Sequence, residues 1–139
     1  AIVTFATALV PWFEDCVEMH GLSGRCAGVR MLDEPFRSID DVQVEKEARL
    51  IELCGQTIAS TGADVIILGG APLAGLAEKV RERIAVPVVD QVQAAVKQAE
   101  ALVALKPLKA RAGTFRRPGP KASQGLTPAL AARIAHTDE

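Results

Sequence analysis

Short apolar runs alternate along the chain with longer segments in which apolar residues recur every three or four positions. The runs predict buried strands at 2–6, 27–32, 64–68 and 86–89. The longer segments predict helices at 12–20, 41–60, 73–84 and 91–105. Strands that alternate with helices favour right-handed crossovers and a parallel sheet with helices on both faces. The pattern therefore predicts a small, open, four-stranded parallel α/β unit.

Two segments carry most of this prediction. The run at 64–68 is apolar on both faces, which is typical of a central parallel strand. The helix at 41–60 is predicted to bury one stripe with spacings of four and three, made of Val44, Ala48, Ile51, Cys54 and Ile58.

Ligands bind to open parallel sheets at the carboxyl ends of the strands, where the strand order switches. The segments expected there are 5–9, 33–37, 69–75 and 90–91. The segment 69–75 (GGAPLAG) is the most informative, since glycines after a buried strand let a ligand approach the backbone and the next helix offers free N–H groups. Such a turn suits a carboxylate, an imide oxygen or a phosphate, although strand-to-helix turns also carry glycine without binding anything. It matches neither the P-loop nor the dinucleotide-binding pattern.

Three polar residues near that edge have two interpretations each. Thr4 and Thr7 flank the end of the first strand, where a hydroxyl either donates to an anion or bonds a local carbonyl. Asp90 ends the last strand, and it either orients a substrate amine or caps the following helix. Capping is the favoured interpretation of Asp90.

The composition is typical of a globular domain whose cysteines are not paired in disulfides. Its 139 residues are 49% hydrophobic and 24% charged with a net charge of −1, which fits one domain with a sizeable core. No apolar run approaches the length of a membrane span, and no secretory signal is visible. Three cysteines without a CxxC motif favour a reducing cytoplasm, and each is expected to act as a small hydrophobe. With two histidines at opposite ends, no metal site is expected.

The charge is unevenly distributed and predicts two parts, an α/β domain at 1–105 and a tail at 106–139. Residues 1–104 hold nine basic and fifteen acidic side chains, whereas residues 105–139 hold seven and two. The tail is rich in glycine and proline at 112–125, with one short helix predicted at 127–135. It is either a mobile terminus or an arm that packs on another domain. Its one aromatic residue, Phe115, gives no stacking platform, so neither nucleic acid nor membrane is expected as a partner.

Several segments together resemble a known family. They are IVTFATALVPWFED from residue 2, HGLSGRCAGVR from residue 20, the block GADVIILGGAPLAGLAEKVRERIAVPVVDQVQAAVKQAEALV from residue 62 and GTFRRPGPK from residue 113. They are similar to the second half of the Asp/Glu/hydantoin racemase superfamily, in particular its hydantoin and allantoin racemases. The resemblance covers about residues 2–125, and the block from residue 62 is its most specific part.

The resemblance implies two flavodoxin-like α/β halves with a cleft between them, and cofactor-independent proton transfer at Cα of a hydantoin, allantoin or amino-acid-like substrate. One cysteine from each half would act on either face of the substrate. The substrate contacts it implies in this chain are Phe5, Ala6, Thr7, Gly69, Gly70 and Ala71.

This chain departs from the family pattern at the second-half cysteine. The turn that should read Leu-Gly-Cys-Ala-Gly is Leu68-Gly69-Gly70-Ala71-Pro72, so Gly70 stands where the thiol belongs and no catalytic residue is assigned. Three explanations stay open: one-base chemistry such as an isomerisation or decarboxylation, an engineered knockout, or a non-catalytic small-anion-binding or assembly module.

The first half of the racemase fold is expected to be missing from this chain. The resemblance implies that the tail at 106–139 packs on that half. A cleft wall without its partner should expose apolar surface, so a homo-oligomer is expected. No metal, nucleotide or pyridoxal phosphate is implied.

Overall fold

The computed structural model describes residues 1–35, 37–38 and 41–138, and it contains four short strands and five α-helices. The strands are β1 (Ile2–Thr4), β2 (Val29–Met31), β3 (Ile66–Gly69) and β4 (Val88–Asp90). The helices are α1 (Val10–Met19), α2 (Val42–Thr61), α3 (Leu76–Val80), α4 (Gln91–Leu105) and α5 (Pro128–Ala135). Single 3-10 turns lie at Thr7–Leu9, Ser23–Arg25, Ala71–Leu73 and Arg81–Arg83.

All four strands are parallel, in the order β2-β1-β3-β4, which confirms the predicted fold class. The register places Thr4 opposite both Met31 and Gly69. Leu68 pairs with Asp90. The strands therefore end along one edge of the sheet, and the chain reverses its direction of winding between β1 and β3.

The two faces of the sheet are covered by different helices. On one face α1 packs over the sheet through a small cluster of Ile2, Phe13 and Val29. On the other face α2 and α3 cover a larger cluster. Its buried members are Val3, Phe5, Leu32, Val42, Leu50, Cys54, Ile66, Leu68, Leu73, Leu76, Ala77, Val80 and Ile84.

The predicted stripe of α2 was wrong at its first two positions. Val44 is 87% exposed, and Ala48 is exposed as well. The helix instead buries Val42, Leu50, Cys54 and Thr57, with Ile51 and Ile58 half-buried beside them. The apolar pattern did not reveal this stripe because one of its buried residues, Thr57, is polar; its hydroxyl donates to the carbonyl of Leu53 at 2.7 Å.

The continuous helix predicted at 73–84 was also wrong. The segment forms a 3-10 turn, then α3, then a second 3-10 turn. The break falls at Ala74, which is extended at ψ 130°, and at Gly75, which has a φ of +82°. That φ is favourable for glycine and strained for other residues, so the chain changes direction there before α3 begins.

The helix predicted at 91–105 is confirmed at both ends as α4, whereas the other predicted elements differ from the structure at their ends. The strand predicted at 64–68 begins two residues later and ends one residue later, so that Gly69 belongs to β3 and Asp64 does not. Phe36, in the segment predicted at 33–37, lies outside the described residues.

The chain divides into two compact units, residues 1–101 and 102–139. In the first unit, Val96 of α4 is 50% exposed, and no residue that the structure describes in α4 is buried. In the second unit, the carbonyl of Arg133 in α5 accepts a hydrogen bond from Arg117 at 2.7 Å. Across the described ranges, no helix is both long enough and apolar enough to span a membrane.

Replacing Leu50 with alanine should lower the free energy of unfolding by about 2–5 kcal/mol, because Leu50 is 1% exposed and its loss leaves a cavity under α2. The matched control is Val44→Ala in the same helix, which should change it by less than about 0.5 kcal/mol. Urea denaturation of both variants measures the difference. Equal losses would contradict the placement of α2.

Stability should fall in alkaline solution because of Cys54. Burial raises the pKa of this thiol from 9.0 to about 11. Above pH 9 the unfolded chain loses the proton while the folded chain keeps it, so this contribution is full below pH 9 and is lost as the pH rises to about 11. The loss should reach about 1–2 kcal/mol. Cys54→Ala should flatten this part of the pH profile of unfolding, and an unchanged profile would refute the assignment.

Candidate functional site

The candidate site lies at the carboxyl edge of the sheet, where β1 and β3 end side by side. Phe5, Ala6 and Thr7 follow β1, while Gly69 ends β3 and Gly70 and Ala71 follow it. Because Thr4 pairs with Gly69, the two groups are adjacent. This is the switch point of the strand order, where open parallel sheets bind ligands.

Exposure divides these six residues. Thr7 and Ala71 are exposed and Ala6 is half-buried. The backbones of Gly69 and Gly70 are buried, and Phe5 is only 7% exposed because its ring belongs to the larger core cluster. A ligand at this edge would therefore meet Ala6, Thr7 and Ala71 first.

Aromatic rings lie against both glycines. A Cβ added to Gly69 would lie 2.7 Å from Cζ of Phe13, the ring that packs under α1. A Cβ added to Gly70 would lie 2.7 Å from Cε1 of Phe5. Gly70 also has a φ of +121°, which residues other than glycine rarely adopt. The end of β3 thus presents backbone and no side chain.

Residues from two neighbouring elements anchor the turn that follows. The side-chain amide of Gln43, in the first turn of α2, donates to the carbonyls of Pro72 and Ala74, each at 2.8 Å. The backbone N–H of Gly75 donates to Oδ2 of Asp90 at the end of β4. Sequence analysis missed Gln43, because a glutamine at the start of a helix belongs to no recognisable motif.

Asp90 is 6% exposed, and its other oxygen caps α4. Oδ1 accepts hydrogen bonds from the backbone N–H groups of Val92 at 2.9 Å and Gln93 at 3.0 Å. The capping interpretation is thus confirmed. The structure adds the bond to Gly75, so one carboxylate links α4 to the glycine-rich turn.

Asp33 is a polar residue of this edge that sequence analysis did not single out. The hydroxyl of Thr7 donates to Oδ1 of Asp33 at 2.8 Å, and both side chains are exposed. The signal that could have found it is its position two residues after the end of β2, at the same edge. Thr4, in contrast, is fully buried, and its hydroxyl has no partner within the described ranges. The alternative of a local carbonyl partner for Thr4 is therefore wrong.

The cysteines lie elsewhere. Cys54 is buried in the core under α2. Cys16 and Cys26 line a groove of about 840 Å³ at the opposite, amino edge of the sheet, together with His20 and Val65. This groove is larger than the cavity of about 190 Å³ beside Gly75 and Asp90. We nevertheless place the candidate site at the carboxyl edge, because that is where the strand order switches.

The chemistry available at this edge comes from backbone groups, the Thr7 hydroxyl and the Asp33 carboxylate. Gly69 and Gly70 have no side chains, so they provide no proton donor or acceptor apart from their backbone groups. The Thr7 hydroxyl proton is already directed at Asp33, whose carboxylate keeps further acceptor positions. This edge can therefore hold a polar ligand, but residue 70 has no side chain that could transfer a proton.

Comparison with known proteins gives consistent results. A family model described as Asp/Glu/Hydantoin racemase matches residues 1–99. The hydantoin racemase of Rhizobium meliloti is 32% identical over 125 residues, and that of Paenarthrobacter aurescens is 26% identical over 121 residues. These matches cover 90% and 87% of this chain, and 52% and 51% of the relatives.

Two solved structures are also similar. The allantoin racemase from Pseudomonas fluorescens has a TM-score of 0.70 at 37% identity, over 89% of this chain and 53% of its own. The allantoin racemase from Klebsiella pneumoniae has a TM-score of 0.75 at 30% identity, over 89% of this chain and 51% of its own. The chain therefore spans about half the length of the relatives it matches.

Replacement of Asp90 should destabilise the protein in a graded way. Asp90→Asn keeps an oxygen that can cap α4 but weakens the bond to Gly75, whereas Asp90→Ala removes both. We expect a loss of about 1 kcal/mol for Asp90→Asn and about 2–3 kcal/mol for Asp90→Ala. Asp64→Ala, an exposed site before β3, is the control and should cost less than about 0.5 kcal/mol. Chemical denaturation that ranks the three variants differently would count against this anchor.

Proposed function

Because this chain belongs to the Asp/Glu/hydantoin racemase family, we propose that it forms one wall of the substrate cleft of a racemase-type isomerase. The observation that carries this proposal is the Gly69–Gly70 backbone at the β1/β3 switch point. The substrate class is a hydantoin, allantoin or a related amino-acid-like molecule, and the names of the similar proteins support this choice. The contacts proposed are those of Phe5, Ala6, Thr7, Gly69, Gly70 and Ala71.

The reaction proposed is cofactor-independent proton transfer at Cα. A base removes the Cα proton, and the electron pair left behind spreads into the neighbouring carbonyl group. Backbone N–H groups aimed at that carbonyl oxygen would stabilise its developing charge. Return of a proton to the opposite face inverts the centre, and return to the same face retains it. The protein's part is thus to hold the carbonyl and to supply or position two proton carriers.

Gly70 restricts which of these steps this chain can serve. The family resemblance places a cysteine thiol at residue 70, and glycine has no group that accepts a proton. We propose that this wall holds the substrate. The base that moves the proton would then lie on the opposite wall or be a residue of this chain other than Gly70. The alternatives are one-base isomerisation or decarboxylation and a non-catalytic small-anion-binding or assembly role. The exposed Thr7–Asp33 pair supports a polar ligand in all three cases.

The setting of this site is part of the proposal. We propose that the opposite wall comes from a first half of the fold, and that the basic tail at 106–139 packs on it. We also propose a homo-oligomer, which is supported by apolar side chains exposed along α4, such as Val96 and Val103, 50% and 75% exposed. A cytoplasmic location is supported by three cysteines that are all free. No nucleic acid, membrane, metal or cofactor enters the proposal.

Exchange of the substrate's Cα proton in D₂O tests the proposal directly. The chain, and any longer polypeptide that contains it, is incubated with 5-substituted hydantoins, allantoin or aspartate, and exchange is followed by NMR together with optical rotation. We expect exchange on at least one substrate. Thr7→Val should slow it by about tenfold, because the variant loses a hydroxyl at the site and frees Asp33. Thr61→Val, whose hydroxyl bonds within α2 at 2.7 Å, is the matched control and should keep the wild-type rate.

The outcomes separate the alternatives. Exchange with loss of rotation means a racemase whose second proton carrier is not residue 70. Exchange with retained configuration means one-base chemistry on one face. If no substrate exchanges its proton, the isomerase proposal is wrong and the binding role takes its place.

A further inference from the structure

We infer that Phe5 determines what residue 70 can be: its ring occupies the volume into which any side chain at residue 70 would project. Phe5 thus restricts which residues the candidate site can hold at position 70. The steric part of this inference stands on geometry alone, and its meaning for proton transfer rests on the proposed function.

The geometry places the ring edge on the Cβ direction of Gly70. An added Cβ would meet three atoms of Phe5, with Cε1 at 2.7 Å, Cδ1 at 3.2 Å and Cζ at 3.8 Å. The first distance is shorter than carbon atoms tolerate. A substituent at residue 70 would therefore have to displace the ring.

The ring has little freedom to move away. Phe5 is 7% exposed and belongs to the core cluster that includes Val3 of β1 and Leu32, which follows β2. Protein cores are packed closely enough that a shifted aromatic ring disturbs its neighbours. A side chain at residue 70 would therefore disturb the packing of the core under α2 and α3 and lower the stability of the fold.

Gly69 shows that this effect is specific to one ring. A Cβ at Gly69 would meet Phe13 and Ile2 on the other face of the sheet, and its three nearest atoms belong to these two residues and not to Phe5. Two adjacent glycines are thus constrained by two different rings. Phe5 affects residue 70, and Phe13 affects residue 69.

One consequence concerns the proposed function. A thiol restored at residue 70 in the presence of Phe5 would meet the ring and would have no clear path to the substrate. Restoration of a second proton carrier requires two changes, at residue 70 and at residue 5. With Phe5 in place, residue 70 can therefore contact a ligand only through its backbone.

A double-mutant cycle on the full chain tests the inference through thermal midpoints. Gly70→Ala should lower Tm in the wild-type background, and in the Phe5→Ala background it should lower Tm by less than about half as much. The strain from the φ of +121° is present in both backgrounds and cancels in the cycle. Gly69→Ala is the matched control, and its Tm loss should be the same with and without Phe5→Ala. If Phe5→Ala does not fold, Phe5→Leu, which also lacks the Cε atoms, replaces it.

A thiol probe gives a second readout that does not depend on catalysis. In a background with Cys16→Ser and Cys26→Ser, Gly70→Cys should react with an aromatic disulfide reagent about tenfold more slowly than the pair Phe5→Ala/Gly70→Cys. Equal Tm losses for Gly70→Ala in both backgrounds, or equal thiol reactivity in both variants, would overturn the inference. Coupled Tm values and a reactive thiol, in a protein that exchanges the Cα proton of no substrate, would uphold the inference and count against the proposed function alone.

Discussion

The candidate site depends on how closely other atoms approach the backbone at the end of β3. Gly69 packs against Phe13 under α1, and Gly70 packs against Phe5 above the larger core. The two hydrophobic clusters, on opposite faces of the sheet, thus meet the same dipeptide. Any side chain there would push a buried ring out of place, so the position of the turn is set by the core on both sides. A polar ligand at this edge would meet backbone atoms held by apolar packing.

Polar anchors fix the part of the turn that the rings do not reach. Gln43 holds the carbonyls of Pro72 and Ala74 from α2, and Asp90 holds the N–H of Gly75 from β4. These hydrogen bonds tie the turn to α2 and β4, so the turn is held in place by the helix and the sheet beside it. Rigid placement matters for a binding site, because a preorganised backbone pays little ordering entropy when a ligand arrives.

The periodicity of the sequence was sufficient to predict the parallel four-stranded sheet, because buried strands and long helices leave strong patterns. It failed where polar residues joined the core or where a local turn overruled the pattern. Thr57 is buried in α2 while Val44 is not, and Gly75 divides a segment that looked like one helix. At the candidate site the glycines were predictable, but the rings that require them were not. Contacts such as Phe5 with Gly70, or Thr7 with Asp33, join residues far apart in sequence and follow only from the register of the strands.

The glycine at residue 70 affects the chemistry available at this edge of the sheet more than it affects the fold. Proton abstraction needs a group that takes the proton and an environment that stabilises the charge left on the substrate. The edge formed by β1 and β3 offers elements of the second requirement, namely the Thr7 hydroxyl and a turn whose backbone is fixed from two sides. Residue 70 has no group that could take a proton. Because the buried ring of Phe5 blocks a side chain there, this absence depends on the packing of the core as well as on the glycine itself. A site built this way can hold a ligand in a fixed geometry, and any proton transfer there would depend on groups outside the Gly69–Gly70 turn.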